Sequence, residues 1–261
     1  MKRKTVIFLY EFLGGMARPW LEAGFDCWLF DGKHDAGVSH SVQSNGAKLY
    51  KVGMWFKPDD IRQTVTDIVG QVFAHEPGAD PRLVFGFPEC TYLTVTGNRW
   101  LYHPDDKHLP TEARRPHPLH PDRKQKREDA VKLALLVRDV GRYLGVPWAF
   151  ENPARGYLGR AFRRPDHVFH PYHFGGYLPE DDVHPVFPDI YPGRDAYPKE
   201  TGIWCSESFN WPQERAVRKE TESNPGWEKC GGKSARTKEI RSCTPRGFAQ
   251  AVFEANRGKY S

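Results

Sequence analysis

The chain has 261 residues, 39% of them hydrophobic and 27% charged, with a formal net charge of +5. These values describe a globular chain and argue against wholesale disorder, and the length suits one generous domain or one domain with a small appendage. No apolar stretch approaches the roughly 20 residues of a membrane span, and the mild basic excess suits a polyanionic partner.

From the amino end, TVIFLY (5–10) reads as a buried strand and MARPWLEAGF as a short helix ending at Gly24. CWLFD (27–31) and KLYKV (48–52) are two further strands. Asp59, after Pro58, opens a helix carrying Ile61, Val65, Ile68, Val69, Val72 and Phe73 on one face. RLVFGF (82–87) is the fourth strand, 126–144 a long helix apolar on most sides, and PWAFEN (147–152) the fifth strand. Continuous apolar strands alternating with helices predict an α/β fold with a parallel sheet covered on both faces. From Arg163 to Gly232 prolines, aromatics and glycines break every helical period, which predicts a loop-rich insert with Trp204, Trp211 and Trp227 as its miniature core. Order returns at TPRGFAQAVFEAN, where Thr244 can cap a helix and Pro245 fits its first position.

The five cysteines form no CxxC pair and their number is odd. Free thiols in a reducing cytoplasm are expected. Cys205, Cys230 and Cys243 lack the paired spacing of a zinc site, even with His170 or His173 as a further ligand, and no metal is expected. Between Arg99 and Arg127, eight Lys/Arg face four acids, alongside four histidines. Such a run is either solvated surface or a clamp on phosphates.

In an open parallel sheet, ligands gather beyond the carboxyl ends of the strands. Four features fall there: Gly14 and Gly15 after the first strand, Asp31 after the second, Cys90 after the fourth, and Glu151 with Asn152 after the fifth. Glycines permit close backbone approach to a ligand, a strand-end acid suits ribose hydroxyls, and a displayed thiol suits nucleophilic attack. Each also has an ordinary reading, as a turn or a buried thiol.

The order and spacing of these features resemble the DNA (cytosine-5) methyltransferases over roughly residues 5–160 and 235–257, most plainly at PECTYLT and FENP. RTKEIRSCTPRGFAQAVFEAN is similar to the terminal motif that completes that family's donor pocket. The resemblance implies a doubly wound, mostly parallel Rossmann-like sheet, with a catalytic domain over 1–162, a target-recognition insert over 163–234 and a returning segment over 235–261. It implies Cys90, Glu151 and Asn152 as catalytic residues, with S-adenosylmethionine as donor and DNA as partner. Tyr10, Phe12, Leu13, Gly14, Gly15, Asp31, Pro88, Arg241 and Ser242 would surround the donor. Thr91, Arg99, Arg114, Arg115, Arg155 and Arg160 would face DNA. A monomer in a prokaryotic or virus-infected cytoplasm is the expected setting.

The sequence departs from the family pattern at several points. Glu89 and Thr91 flank Cys90 where Pro and Gln are usual, Phe12 replaces the first glycine of the donor loop, and Phe8 replaces the Asp before it. Glu89 is expected to turn away from the thiol, or to hydrogen-bond its loop or the nucleotide. The acid after the third strand is missing at Gly53–Met54, and Arg160, Arg163 and Arg164 are the nearest substitutes for a Gln-x-Arg-x-Arg motif. Arg241 and Ser242 stand where Gly-Asn is usual. A guanidinium there suggests, as an alternative, carboxy-S-adenosylmethionine as donor and a carboxymethyl product; it could equally bind a phosphate or the ordinary methionine carboxylate. Two other classes compete. A zinc deaminase would need a cysteine at position 93, which is Leu, and a separated His-x-Glu, whereas His75 and Glu76 are adjacent. A catalytically inactive DNA-binding relative would keep the fold without the donor pocket.

Overall fold

Thr5 to Leu9 form an unbroken buried run, and strand β1 (Arg3–Leu9) lies in the interior of the sheet. The computed structural model describes residues 2–232 and 234–258, so the end of the segment expected over 235–261 lies outside the described residues. After β1 come α1 (Arg18–Glu22), β2 (Asp26–Val42), β3 (Lys48–Gly53), α2 (Ile61–His75), β4 (Ala79–Gly86) and α3 (Arg123–Leu144). Then follow β5 (Trp148–Pro153), α4 (Leu158–Ala161), β6 (His167–Phe169), β7 (Thr201–Cys205), α5 (Pro225–Glu228), α6 (Ala235–Arg241) and α7 (Arg246–Asn256).

The seven strands form one sheet in the order β3-β2-β1-β4-β5-β7-β6. β1 is parallel to β2 and β4, and β4 to β5, whereas β7 is antiparallel to both β5 and β6. Strand side chains alternate between two cores. Val6, Phe8, Leu83 and Phe85 pack with Trp20 of α1 and with Phe248 and Val252 of α7. Ile7, Leu9, Val84 and Phe150 pack with Ile68 of α2 and with Val137 and Val140 of α3. The fold is therefore mixed α/β with helices on both faces of the sheet, compatible with a Rossmann-like architecture. No helix among the described residues is long and apolar enough to cross a membrane.

Several local expectations change. Strand β2 does not stop at Asp31: Cys27–Asp31 match Leu49–Gly53 in ascending register, and Ala36–Val42 then return antiparallel along β3. Asp60, not Asp59, caps α2, its carboxylate accepting Gln63 N–H at 3.0 Å. The segment expected to be a loop-rich insert supplies β6 and β7 to the sheet, and Trp204 belongs to the main core, stacked on Phe150. Trp211 packs against the core on the sheet's other face, and Trp227 is exposed. The insert's own cluster is Phe187, Tyr191, Tyr197 and Cys230, joined by Ile240 of α6. Thr244 does not cap α7. Asp195, 52 positions before Gly247, accepts its backbone N–H at 2.7 Å and serves the helix start from a distance.

Candidate active site

Strand β4 ends at Gly86, and Phe87, Pro88 and Glu89 carry the chain out to an exposed Cys90. The Cys90 carbonyl accepts the N–H groups of Leu93 and Thr94 at 2.9 and 3.0 Å, which closes a tight turn behind the thiol. On the neighbouring strand, the buried Asn152 amide donates to the Pro88 carbonyl at 2.9 Å. One hydrogen bond thus fixes the end of β5, where Glu151 sits, against the loop that carries Cys90. Glu89 turns into its own loop, accepting from the Thr91 hydroxyl at 2.7 Å.

Although Cys90 as a residue is exposed, its thiol is pushed up to about 11. Desolvation within the loop is the main cause; the Glu151 charge adds to it, Lys199 opposes it, and Glu89 contributes a smaller increase. Glu151 and Lys199 line one small cavity with Phe87, Ser242, Cys243 and Thr244, of about 20 Å³, enough for a single water molecule. Lys199 lies just before β7, where Thr201 pairs with Pro153 and Ile203 with Glu151. Antiparallel pairing of β7 with β5 is what brings Lys199 beside Glu151.

The arginines after Cys90 divide into two groups. Arg123 and Arg127, one turn apart at the start of α3, are buried and donate to the carbonyls of Gly97, Thr91 and Tyr92 and to the Asn98 side chain. Their guanidinium groups also lie over the rings of Tyr92 and Tyr157. A Cβ on Gly97 would come within 2.6 Å of the Arg123 guanidinium, so any larger residue there would displace Arg123. Arg115 forms a two-pronged pair with Asp106, and Arg114 donates to the Leu109 and Lys107 carbonyls. These contacts fasten the segment to itself, although the Arg115 side chain remains largely exposed. Arg99, over the Trp100 ring, and Arg160 keep exposed positions, while Arg155 pairs at the surface with Glu200 at 2.9 Å.

On the donor side, Gly14 has φ +77°, a conformation that favours glycine. A Cβ on Gly15 would meet Thr244 at 3.4 Å, so the first turn and the segment before α7 lie against each other. Phe12 and Leu13 are exposed there. Asp31 accepts Lys33 N–H at 2.8 Å through one carboxylate oxygen. Beside it the ring of Trp55, 75% exposed, covers Gly32. Two expected donor contacts are engaged elsewhere. The Tyr10 hydroxyl donates to the Leu133 carbonyl of α3 at 2.6 Å and its ring packs on Phe56. Arg241 donates to the carbonyls of Gly226 and Cys230 and lies over Trp227, and is therefore held by the insert. Its neighbour Ser242 does line the cavity. Among the described residues no three His, Cys, Asp or Glu side chains gather as a metal-binding group; Cys243 meets only His184, at 3.7 Å. No protein-family model matches this chain, and no curated protein sequence matches it.

Proposed function

We propose that the protein is a transferase that modifies cytosine in DNA at carbon 5, with S-adenosylmethionine as donor and Cys90 as a covalent nucleophile. The observation that carries this reading is the Asn152–Pro88 hydrogen bond, which couples a displayed thiol to the strand end bearing Glu151. A thiolate is the suitable attacking group, because carbon 5 of cytosine becomes nucleophilic only after addition at carbon 6.

The bonds change as follows. The Cys90 thiol gives up its proton to solvent, and sulfur bonds to carbon 6 while the ring π pair moves to carbon 5. Carbon 5 would take the methyl group as its bond to the donor's sulfonium sulfur breaks, the electron pair staying on that sulfur and S-adenosylhomocysteine leaving; carbon 5 then loses its own proton to solvent, the ring double bond reforms and the Cys90 thiolate departs. At about 11 the thiol is mostly protonated near neutral pH, and the Glu151 carboxylate is one reason. Glu151 relieves this when it carries a proton and donates to N3 of the pyrimidine, for its charge then no longer opposes the thiolate. The Lys199 ammonium favours the same anion. The target base must leave its stack to reach these groups, and a cavity of about 20 Å³ means that the surrounding loops part to admit it.

The residues present suit the donor. Gly14 and Gly15 leave the turn open to close approach, Asp31 keeps one carboxylate oxygen for ribose hydroxyls, and Trp55 offers an exposed aromatic face beside it. Gly14, Gly15, Asp31 and Thr244 would hold S-adenosylmethionine, which supplies an electrophilic methyl group. A carboxylated donor is not proposed, since the guanidinium that suggested it is bound by Gly226 and Cys230.

The test is incubation with S-adenosylmethionine and DNA containing 5-fluorocytosine, followed by a denaturing gel. A stable adduct with the native protein and none with Cys90→Ala is expected. DNA binding without an adduct would instead support an inactive relative.

A further inference from the structure

Glu11 lies in the turn between β1 and α1 and is only 4% exposed. Its Oε1 accepts the Gly14 N–H at 2.7 Å, whereas Oε2 is buried with no hydrogen-bond partner. No hydrogen bond or ion pair to a Lys or Arg side chain offsets this carboxyl group among the described residues. A buried polar atom without a partner is destabilising, and folded chains retain few of them. The hydrogen bond to Gly14 also prevents the carboxyl from rotating away, so Oε2 keeps a fixed place under the turn.

That place is informative. The carboxyl group is within electrostatic reach of Asp31 in β2 and of Cys243 on the cavity wall, and the Glu11 carbonyl meets His34 Nε2 at 3.2 Å. These residues surround the region proposed above for the donor. What the unpaired oxygen lacks is a hydrogen-bond donor, and a positively charged one satisfies both its lone pairs and its charge.

We infer that Glu11 is a specificity-determining residue, its Oε2 accepting the α-ammonium group of the amino-acid portion of the donor. The inference rests on the donor reading above and adds to it a contact that selects amino-acid-bearing nucleosides over plain ones. Burial pushes Glu11 up to about 7, against the backbone N–H groups of Gly14, Gly15 and Met16, so a cation is needed to hold it ionised near neutrality. The titratable groups facing it are Asp31, Cys243, which is pushed up to about 11 chiefly by burial, and His34, which burial holds below the ordinary imidazole value.

The experiment is calorimetric titration with S-adenosylhomocysteine and with its analogue lacking only the α-amino group. The wild-type protein is expected to prefer the amine by about tenfold or more, and Glu11→Gln to bind both alike. On the wild-type protein alone, the preference should shrink between about pH 8 and about pH 6 as Glu11 takes up a proton. This second measurement stands if the variant does not fold. A preference that survives in Glu11→Gln or is flat across that pH range would overturn the inference and leave Oε2 to a buried water. If the wild-type protein binds neither ligand, the donor reading itself fails and the inference with it.

Discussion

The loops that follow β4 and β1 treat their polar groups in opposite ways. Behind Cys90 the carbonyls of Pro88, Thr91, Tyr92 and Gly97 all have side-chain donors, from Asn152, Arg123 and Arg127. Behind Gly14 a buried carboxylate oxygen has none, and Phe12 and Leu13 stand exposed. The first loop is finished by the chain itself at its carbonyls, although the Oδ1 of Asn152 beside it is buried without a partner, and its geometry is set before any substrate arrives, as the proposed nucleophile requires. The second is completed only when something else supplies the missing donor. Under the proposed function, the site would be rigid on the side that reacts and short of a hydrogen-bond donor on the side that binds.

Removing the tie on the finished side should have the largest effect. Asn152→Ala leaves the Pro88 carbonyl without its partner and frees the two strand ends to drift. Adduct formation with fluorinated DNA is expected to slow on the order of a hundredfold, about 2.7 kcal/mol in activation free energy. A rate within twofold of the native protein would mean that Cys90 and Glu151 are positioned independently, and the contrast between the loops would lose its functional meaning.

Stability should separate the same two loops by sign. Arg127→Met leaves the half-buried Tyr92 carbonyl and the Asn98 amide oxygen without their donor, and a loss of about 1–2 kcal/mol in urea unfolding is expected. Glu11→Gln should act the other way at high pH. Because Glu11 is raised to about 7, the folded protein binds its proton more tightly than the unfolded chain. Its contribution is complete below the ordinary glutamate value and is lost as pH rises through about 7. At about pH 8 the glutamine variant, which cannot ionise, should therefore exceed the native protein by about 1–3 kcal/mol, and near pH 4 the difference should vanish. A destabilised variant at pH 8 would show that Glu11 is already paired in the free protein.

Much of this arrangement could be read in advance, and the part that could not has a common cause. β1, β4 and β5 are apolar runs of strand length, α2 and α3 keep a helical period, and Cys90, Glu151 and Asn152 sit where such strands end. These signals are local. Arg123 and Arg127 have the residue type of a phosphate contact, and only the fold reveals that carbonyls some thirty positions earlier accept their N–H groups. β6 and β7 are three and five residues long among prolines, too short to show a period, and they become strands because β5 offers an edge. Arg241 promised a ligand contact from its place beside Ser242, but Trp227 and two carbonyls of the insert hold it. Long-range partners decide what a polar side chain does, and sequence spacing does not specify them.

The smallest expected effect concerns the charge balance around the finished loop. Cys90 is exposed, Cys243 half-buried, and Cys27, Cys205 and Cys230 buried, so alkylation with iodoacetamide resolved by peptide mass reports on position 90 separately. The native rate should climb with pH toward about 11, since only the thiolate reacts. Near pH 8, Glu151→Gln should react a few-fold faster by removing a neighbouring negative charge, and Lys199→Met a few-fold slower by removing a positive one. Neither should restore an ordinary thiol, because desolvation outweighs both charges. Faster alkylation in Glu151→Gln combined with slower adduct formation on DNA would separate the two duties of Glu151: repelling the thiolate in the free protein and protonating the base when one is bound. Equal rates in all three proteins would mean that burial alone governs the thiol, and activation of Cys90 would then depend on the DNA that covers it.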